Sequence, residues 1–259
     1  MRTINIPFSS CQGLALQNLE TRVAAIALTR YCARMDGRQR APHQLPPGRH
    51  GLSHAYVAQN QRERIMSAVV QVARETGYSG LTIREVITAA GVSRRTFYEL
   101  FSDKDSVFLA AYDHVVGRLA HDVRESTTRG GDWPQQISLG LATFLGRLAS
   151  DPAVAHLCVV EILAAGPAAL SRRSAAMDAF RPFLEPGCRE APDGVQPPPL
   201  AVELAIGGVY EVVYTYVLED RTSELPRLHA DLLQIALLPF LGLRRAAAEA
   251  ARARRRVPV

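Results

Sequence analysis

The chain has 259 residues and a formal net charge of +5, with 47% apolar and 21% charged residues. This length allows one or two domains with a sizeable core, and the apolar fraction is ordinary for a globular protein. The sequence lacks the continuous apolar segment of a signal peptide, and no apolar run approaches the length of a membrane span. The four cysteines lack metal-ligand spacing, so we expect free thiols rather than a zinc site or disulfides; they are Cys11, Cys32, Cys158 and Cys188.

Charge is distributed unevenly along the chain. Residues 1–104 carry 14 Lys and Arg against 7 Asp and Glu, whereas residues 105–243 carry 10 against 17. The last segment, 244–259, is basic again, with 6 against 1. A basic front and an acidic middle favour a protein that touches nucleic acid at one end only.

Residues 1–54 are expected to form an N-terminal extension and a linker. Residues 14–34 have a helical apolar pattern, and residues 37–51 are rich in Pro, Gly and Arg. Two interpretations stay open for this region. In the first, translation begins at Met35 and residues 1–34 are absent from the native protein. In the second, the segment is a basic arm that adds phosphate or minor-groove contacts.

Residues 77–105 carry the signals of short helices joined by a tight turn. Gly77 is suited to end one helix, and Thr82 with Glu85 forms a capping box that begins the next at Ile83. Gly91 suits the corner that follows, because glycine adopts a positive φ without steric cost. Ser93 then caps a second short helix, 94–101, and Ser102 with Asp105 is a weaker box for a third. The inward-facing candidates are Val86, Ala90, Val92, Phe97 and Leu100.

The second short helix leaves a polar face with two adjacent arginines. Arg94 and Arg95 could bind guanine edges or phosphates, Thr96 could meet a base, and Tyr98 offers a hydroxyl to a phosphate. Lys104 is the one lysine of the sequence, and its position in the first turn of a helix suits a phosphate shared with the free amides there. The alternative is that this face is only solvated.

Residues 61–113 resemble the DNA-binding domain of the TetR (tetracycline repressor-like) family of bacterial regulators. The resemblance rests on Gly77-Tyr78, Thr82, Ala90-Gly91-Val92-Ser93, Phe97-Tyr98, Phe101 and Lys104. One position departs from the family pattern, because Ile87 stands where a small residue is usual. The residues expected to contact DNA are Thr82, Ser93, Arg94, Arg95, Thr96, Tyr98 and Lys104.

The resemblance implies an all-α protein with a helix-turn-helix domain over 55–104 and a helical ligand-binding and dimerisation domain over 105–248. Residues 249–259 are expected to form a basic tail. The sequence beyond residue 105 agrees, because every segment has a helical pattern and none alternates as a strand would. We expect about nine helices, with breaks at Gly166-Pro167 and Pro186-Gly187, and a last helix from Leu225 to about Arg255 that bends at Pro239.

The final two helices are expected to form a homodimer interface. Residues 200–218 are apolar nearly all round, and Gly207 and Gly208 permit close approach of another helix. The resemblance implies a four-helix interface with a second copy, whereas an ordinary buried core helix is the alternative. Two copies would read half-sites ~34–36 Å apart on double-stranded operator DNA.

The resemblance also implies a small-molecule effector that enters a cavity of the helical domain and lowers operator affinity. The candidate effector-binding residues are His156, Glu161, Tyr210 and Tyr214, with Glu161 favoured because a carboxylate among aliphatic residues needs a partner. We expect no cofactor, no metal and no catalytic residue, although Asp113-His114 and His121-Asp122 raise the possibility of an enzyme. Their separation of about 10–12 Å is too large for one ion.

The sequence therefore predicts a ligand-responsive, homodimeric repressor in a bacterial cytoplasm, associated with the nucleoid when bound to DNA. The other interpretation is an architectural DNA-binding protein that needs no effector. Operator selectivity separates the two, because a regulator protects one short palindrome and an architectural protein spreads along any duplex.

Overall fold

A computed structural model describes residues 53–192 and 194–256. The expectations for residues 1–52, including the start at Met35, the basic arm and the states of Cys11 and Cys32, lie outside these residues. The described parts are helical and contain no strand, which confirms the all-α prediction. Cys158 and Cys188 are free thiols.

The first four helices are α1 His54–Gly80, α2 Ile83–Ala90, α3 Arg94–Leu100 and α4 Lys104–Thr127. Helix α1 breaks at Gly77, where φ is 69°. The capping box of Thr82 and Glu85 is present, Gly91 adopts φ 60°, and the Ser93 side chain caps α3, as predicted. The start of α4 differs, because Asp103 and Ser106 form the box that we assigned to Ser102 and Asp105.

The remaining helices are more numerous than we predicted. The described residues contain twelve α-helices, because a π-helical turn divides one predicted helix and the segment 167–189 forms three pieces. Pro186 opens a helix rather than ending one, since proline fits the first helical turn. The elements are α5 Trp133–Ser150, α6 Pro152–His156, the π-helical turn Leu157–Glu161, α7 Ile162–Ala164, α8 Pro167–Asp178, α9 Arg181–Leu184, α10 Pro186–Arg189, α11 Ala201–Leu218, a 3₁₀ helix Thr222–Leu228 and α12 His229–Arg256.

The last helix, α12, bends at a different residue from the one predicted. Pro239 lies inside the helix, but the non-helical backbone falls at Gly242, where φ is 72° and ψ is 168°. Proline tends to bend a helix through the lost backbone bond and its ring. Here the sharp change of direction falls three residues later, at a glycine, which tolerates this φ without a steric penalty.

Three apolar clusters hold the described helices together. The first cluster contains residues of the four helices α1, α2, α3 and α4 around Phe97 and Phe108, which are fully buried. Ile87, which is half-buried, packs against this cluster. The cluster also takes in Leu157 and Ile162 from the segment around the π-helical turn. Burial of one such large side chain contributes about 1.5–3 kcal/mol. The helix-turn-helix is therefore packed directly onto the later helices.

Helix α11 is more apolar than our inspection of the sequence allowed. By length and composition, Ala201–Leu218 could cross a membrane, although only 28% of it is buried in the single chain. Leu204 and Leu218 on this helix, and Ile235, Leu238 and Leu243 on α12, are exposed large apolar residues. We refer to these five exposed residues of α11 and α12 as the exposed apolar face, and we propose a second copy of the chain as its partner below.

His229 at the start of α12 is buried beside α5. Its Nε2 lies 2.9 Å from the Ser138 carbonyl oxygen, so Nε2 carries the proton and donates, while Nδ1 is buried with no hydrogen-bond partner. Burial lowers the pKa of His229 below its ordinary value of 6.5, more than the Ser138 bond raises it. The folded protein therefore holds this imidazole neutral.

We predict that acid weakens the fold through His229. The unfolded state binds the proton more readily, so the stabilisation is present above pH 6.5 and is lost as the pH falls below it. The free energy of unfolding in urea, measured between about pH 7 and pH 5, should fall less steeply for His229→Asn than for wild type. His121→Asn, at an exposed position, should keep the wild-type slope, and an unchanged slope in His229→Asn would refute the assignment.

Candidate DNA-reading face and effector cavity

Helix α3 presents one polar face to solvent and anchors the other in the first apolar cluster. Phe97 is fully buried, whereas Arg94, Arg95, Tyr98 and Glu99 are exposed. The Arg95 side chain is 88% exposed, and its Nε donates to Glu99 Oε1 at 2.8 Å. An exposed ion pair of this kind is weak, so DNA can displace it at small cost.

Other residues predicted to contact DNA make contacts within and at the start of the two short helices, α2 and α3. The Arg94 guanidinium lies 5.6 Å from the centre of the Tyr98 ring. Ser93 Oγ accepts the Thr96 backbone N–H at 3.0 Å and lies 2.9 Å from the Thr96 hydroxyl. Thr82 Oγ1 accepts the Glu85 backbone N–H at 3.3 Å. The two caps fix where α2 and α3 begin, and direct DNA contact by Thr82 and Ser93 stays a prediction.

Two arginines of α1, which our sequence reasoning missed, bind the turn before α3 and the end of α3. Arg64 donates to the carbonyl oxygens of Ala90 and Gly91, the latter at 3.0 Å, at the corner before α3. Arg62 donates to the Leu100 carbonyl at 3.4 Å and lies 4.5 Å from the centre of the Phe101 ring. No local sequence pattern links residues this far apart, so only the packing of α1 reveals the contact.

Lys104 is engaged with the protein rather than free for DNA. Its Nζ donates to the Tyr78 carbonyl at 3.2 Å and lies 4.2 Å from the centre of the Tyr78 ring. Asp103 occupies the first turn of α4, since its carboxylate accepts the Ser106 N–H at 2.7 Å. That bond lowers the pKa of Asp103, which therefore carries a negative charge where we expected a phosphate. A phosphate contact by Lys104 would have to share this lysine with Tyr78.

The helical domain encloses an apolar cavity of about 150 Å³. Helices α4, α5, α8, α9, α11 and α12 contribute to its wall, together with the π-helical turn. Among the described lining residues, Arg173 is the one with a charged side chain. The others are Tyr112, Val116, Leu119, Val123, Thr127, Ile137, Gly140, Leu141, Phe144, Cys158, Val159, Ala176, Met177, Phe180, Phe183, Leu184, Ala205, Ile206, Val209, Tyr210 and Ala236.

The polar groups of this cavity lie together. The Arg173 guanidinium lies 4.1 Å from the centre of the Tyr210 ring, and Tyr210 donates its hydroxyl to the Val159 carbonyl at 3.0 Å. Burial raises the pKa of Tyr112 and of Tyr210, and it raises the pKa of the Cys158 thiol to about 12. These three groups are therefore neutral at physiological pH, and we call Arg173, Tyr112, Cys158 and Tyr210 the polar end.

The four residues predicted to bind an effector have different positions. Tyr210 lines the cavity, but His156, Glu161 and Tyr214 are not among its lining residues. Sequence reasoning missed Arg173, since a surface-like arginine in a polar segment gives no sign that its Nε is buried. The missing hydrogen-bond partner of that Nε is visible only in three dimensions.

Glu161 binds the end of α1 instead. Its residue is 8% exposed, and its carboxylate accepts the Tyr78 backbone N–H, just after the break at Gly77. His156 Nδ1 lies 3.1 Å from the other Glu161 oxygen, although the two are not aligned as a hydrogen bond. Tyr78 also donates its hydroxyl to Asp105 at 2.5 Å. The partner that a buried carboxylate requires is thus in the helix-turn-helix.

The aspartates of the two Asp-His pairs on α4 form ion pairs with arginines. Asp113 pairs with Arg172, and Asp122 lies 2.9 Å from Arg147. Across residues 53–192 and 194–256, no three potential metal ligands come together. Both carboxylates thus have structural partners within the helical domain.

Comparison with known proteins agrees with this arrangement. The sequence model of the bacterial regulatory proteins of the tetR family matches residues 65–111. The fatty acid metabolism regulator protein of Bacillus subtilis (strain 168) is 23% identical over 184 residues, covering 66% of this chain and 91% of that protein.

Two solved structures have the same fold. The fatty acid degradation regulator FadR from Bacillus halodurans superposes with a TM-score of 0.62 at 22% identity, covering 68% of this chain and 94% of that one. FadR from Bacillus subtilis in complex with stearoyl-CoA superposes with a TM-score of 0.60 at 21% identity, covering 68% and 98%. The fold, the matched motif and the reading helix define a helix-turn-helix regulator of transcription. The matched segment, residues 65–111, belongs to the tetR family of bacterial regulatory proteins.

We predict that Arg95→Ala lowers affinity for the cognate operator by ~1–3 kcal/mol and relaxes base preference at one position. The reason is that this exposed guanidinium reads a base edge, and a base contact distinguishes sequences. Binding to cognate and scrambled duplexes is measured at fixed salt.

Arg84→Ala is the matched control, since Arg84 is exposed on the neighbouring helix α2. Equal losses on cognate and scrambled duplexes for Arg95→Ala would make Arg95 a phosphate contact instead.

Proposed function

We propose that this regulator is a homodimeric repressor that acts in the bacterial cytoplasm and leaves a palindromic operator when an effector with an unbranched apolar chain fills the cavity. The observation that carries the proposal is that Cys158 and Val159 of the cavity wall share the π-helical turn with Glu161, which binds Tyr78. An architectural DNA-binding protein has no need of such a cavity. Effector release therefore fits the geometry better than the alternative.

The lining of the cavity supports an apolar chain as the effector. Aliphatic and aromatic side chains surround nearly all of it, so a polar ligand would lose its hydration without gaining hydrogen bonds. The similar FadR of Bacillus subtilis was solved in complex with stearoyl-CoA, whose acyl moiety is such a chain. We infer that this protein responds to a molecule with a fatty acyl chain.

A chain of contacts joins the cavity to the reading helix. Cys158 and Val159 line the cavity on the π-helical turn, and Glu161 ends the same turn. π-Helical turns often occur at functional sites because their hydrogen bonds can change register. Displacement of this turn by a ligand would move Glu161 relative to Tyr78, and with it the end of α1.

From Tyr78 the path continues to α3. Helix α1 binds the turn before α3 through Arg64 and the end of α3 through Arg62. A shift of α1 would therefore change the position of the reading helix relative to its copy in the dimer. Release follows when the effector binds one arrangement better than the other.

The exposed apolar face supports a second copy as the partner of α11 and α12. Leu204 and Leu218 are 66% and 52% exposed on α11, and Gly208 between them leaves open space on the helix surface. Isolated chains rarely expose so many large apolar residues on one face. A dimer also carries two α3 helices and can bind two half-sites of an operator, whereas a single chain can bind only one.

The proposal is tested with the full chain and DNA from the promoter region around its own gene. We expect protection of one short palindrome with half-sites ~34–36 Å apart, and a dimer by sedimentation. Decanoate should release the DNA, whereas acetate, which carries the same charge without the apolar chain, should not. Leu204→Glu should give a monomer with weaker operator binding.

Two results would contradict the proposal. Protection that spreads along any duplex, unaffected by decanoate, would favour the architectural protein. A monomer that binds the palindrome with full affinity would exclude the proposed interface.

A further inference from the structure

The charged side chain of the effector cavity, Arg173, has a buried donor that lacks a hydrogen-bond partner. Arg173 projects from α8 to the polar end, and its Nε is buried without a hydrogen-bond partner. Among the described residues, no carboxylate pairs with Arg173, although its neighbour Arg172 pairs with Asp113. A buried guanidinium donor left unpaired costs free energy, so a ligand that accepts from it would recover that cost.

The surroundings of Arg173 suit an anion and not a cation. The guanidinium carbon of Arg173 lies 4.1 Å from the centre of the Tyr210 ring, and its Nε has no hydrogen-bond partner. Tyr112, Cys158 and Tyr210 stay protonated there because burial raises the pKa of each. The polar end therefore carries one positive charge with no compensating negative charge from these neighbours.

The rest of the cavity defines what such an anion must be attached to. Away from Arg173 the wall is aliphatic and aromatic, so the remainder of the ligand has no polar partner. A small inorganic anion would fill only the polar end, and a neutral lipid would leave Arg173 unmatched. An amphipathic anion satisfies both parts of the cavity at once.

We propose that Arg173 is the specificity-determining residue for an effector whose apolar chain ends directly in a negative charge, a carboxylate or a phosphate monoester. This inference rests on the proposed function, since it places a charge at the end of the chain that the cavity holds. A planar guanidinium binds either anion through two parallel N–H bonds. A chain that ends in a neutral group such as an alcohol receives at most one neutral hydrogen bond.

The test compares ligands of equal chain length on the full protein by calorimetry near neutral pH. Decanoate and decyl phosphate should bind wild type about 10- to 100-fold more tightly than decanol, as expected for a hydrogen bond to a charged group. Arg173→Met should lose this preference and keep its affinity for decanol within about twofold, because the apolar wall is intact. Decanoate and decyl phosphate together distinguish which anion the site prefers.

Two control variants separate charge from packing. Arg173→Lys keeps the charge without the planar fork, so it should retain a reduced preference for the anions. Arg172→Met changes the neighbouring arginine, which is exposed and directed to Asp113, and should behave as wild type. Should Arg173→Met fail to fold, Arg173→Gln replaces it, with the same predicted loss of preference.

The outcomes distinguish this inference from the proposed function. Wild type that binds decanol as tightly as decanoate would overturn the role of Arg173 and leave an apolar effector in place. Persistence of the anion preference in Arg173→Met and Arg173→Gln would overturn it equally. Wild type that binds none of the three ligands would contradict the apolar effector and the inference with it.

Discussion

The hydrogen bond between the Glu161 carboxylate and the Tyr78 backbone N–H connects the wall of the cavity to helix α1 of the helix-turn-helix domain. Glu161 belongs to the π-helical turn that lines the cavity, and Tyr78 lies at the end of α1, next to the break at Gly77. A buried carboxylate is tolerated only where it is bound, so both sides of this contact depend on it. Gly77 suits the break beside this contact because its φ is 69°, a conformation that residues with a side chain rarely adopt.

Tyr78 connects this bond to the start of α4. Its carbonyl accepts a hydrogen bond from Lys104, and its hydroxyl donates one to Asp105. Burial and the bond to Asp105 raise the pKa of Tyr78 to about 12. Helix α4 in turn contributes Tyr112 and Val116 to the cavity wall. Helix α4 therefore contacts Tyr78 at its first turn and lines the cavity further along its length.

Local sequence signals predicted the helix-turn-helix well. The capping box at Thr82, the corner at Gly91 and the cap at Ser93 each depend on residues at most three positions apart, so their physics is visible in the sequence. The exposed face of α3 followed from the same spacing. The resemblance to the tetR family added the expectation of a ligand cavity and a dimer, which residue patterns alone do not contain.

Sequence reasoning failed where a residue is defined by a distant partner. Glu161 was correctly expected to need a partner, but the chain gives no sign that the partner is Tyr78, 83 positions earlier. Arg64 and Arg173 were missed for the same reason, since their roles depend on Ala90 and Tyr210. The bend of α12 falls at Gly242 rather than at Pro239, so the sequence offered two candidate positions and did not distinguish them.

The coupling through Glu161 is tested most directly by measuring decanoate affinity with and without bound operator. Thermodynamic linkage requires that operator weaken decanoate binding by the same factor as decanoate weakens operator binding, ~5- to 150-fold for typical allosteric proteins. The account predicts that Glu161→Leu brings this factor close to one, while Glu161→Gln, which keeps an acceptor oxygen, and the exposed Glu75→Leu preserve it. A Glu161→Leu protein that retains the full wild-type factor would contradict the account.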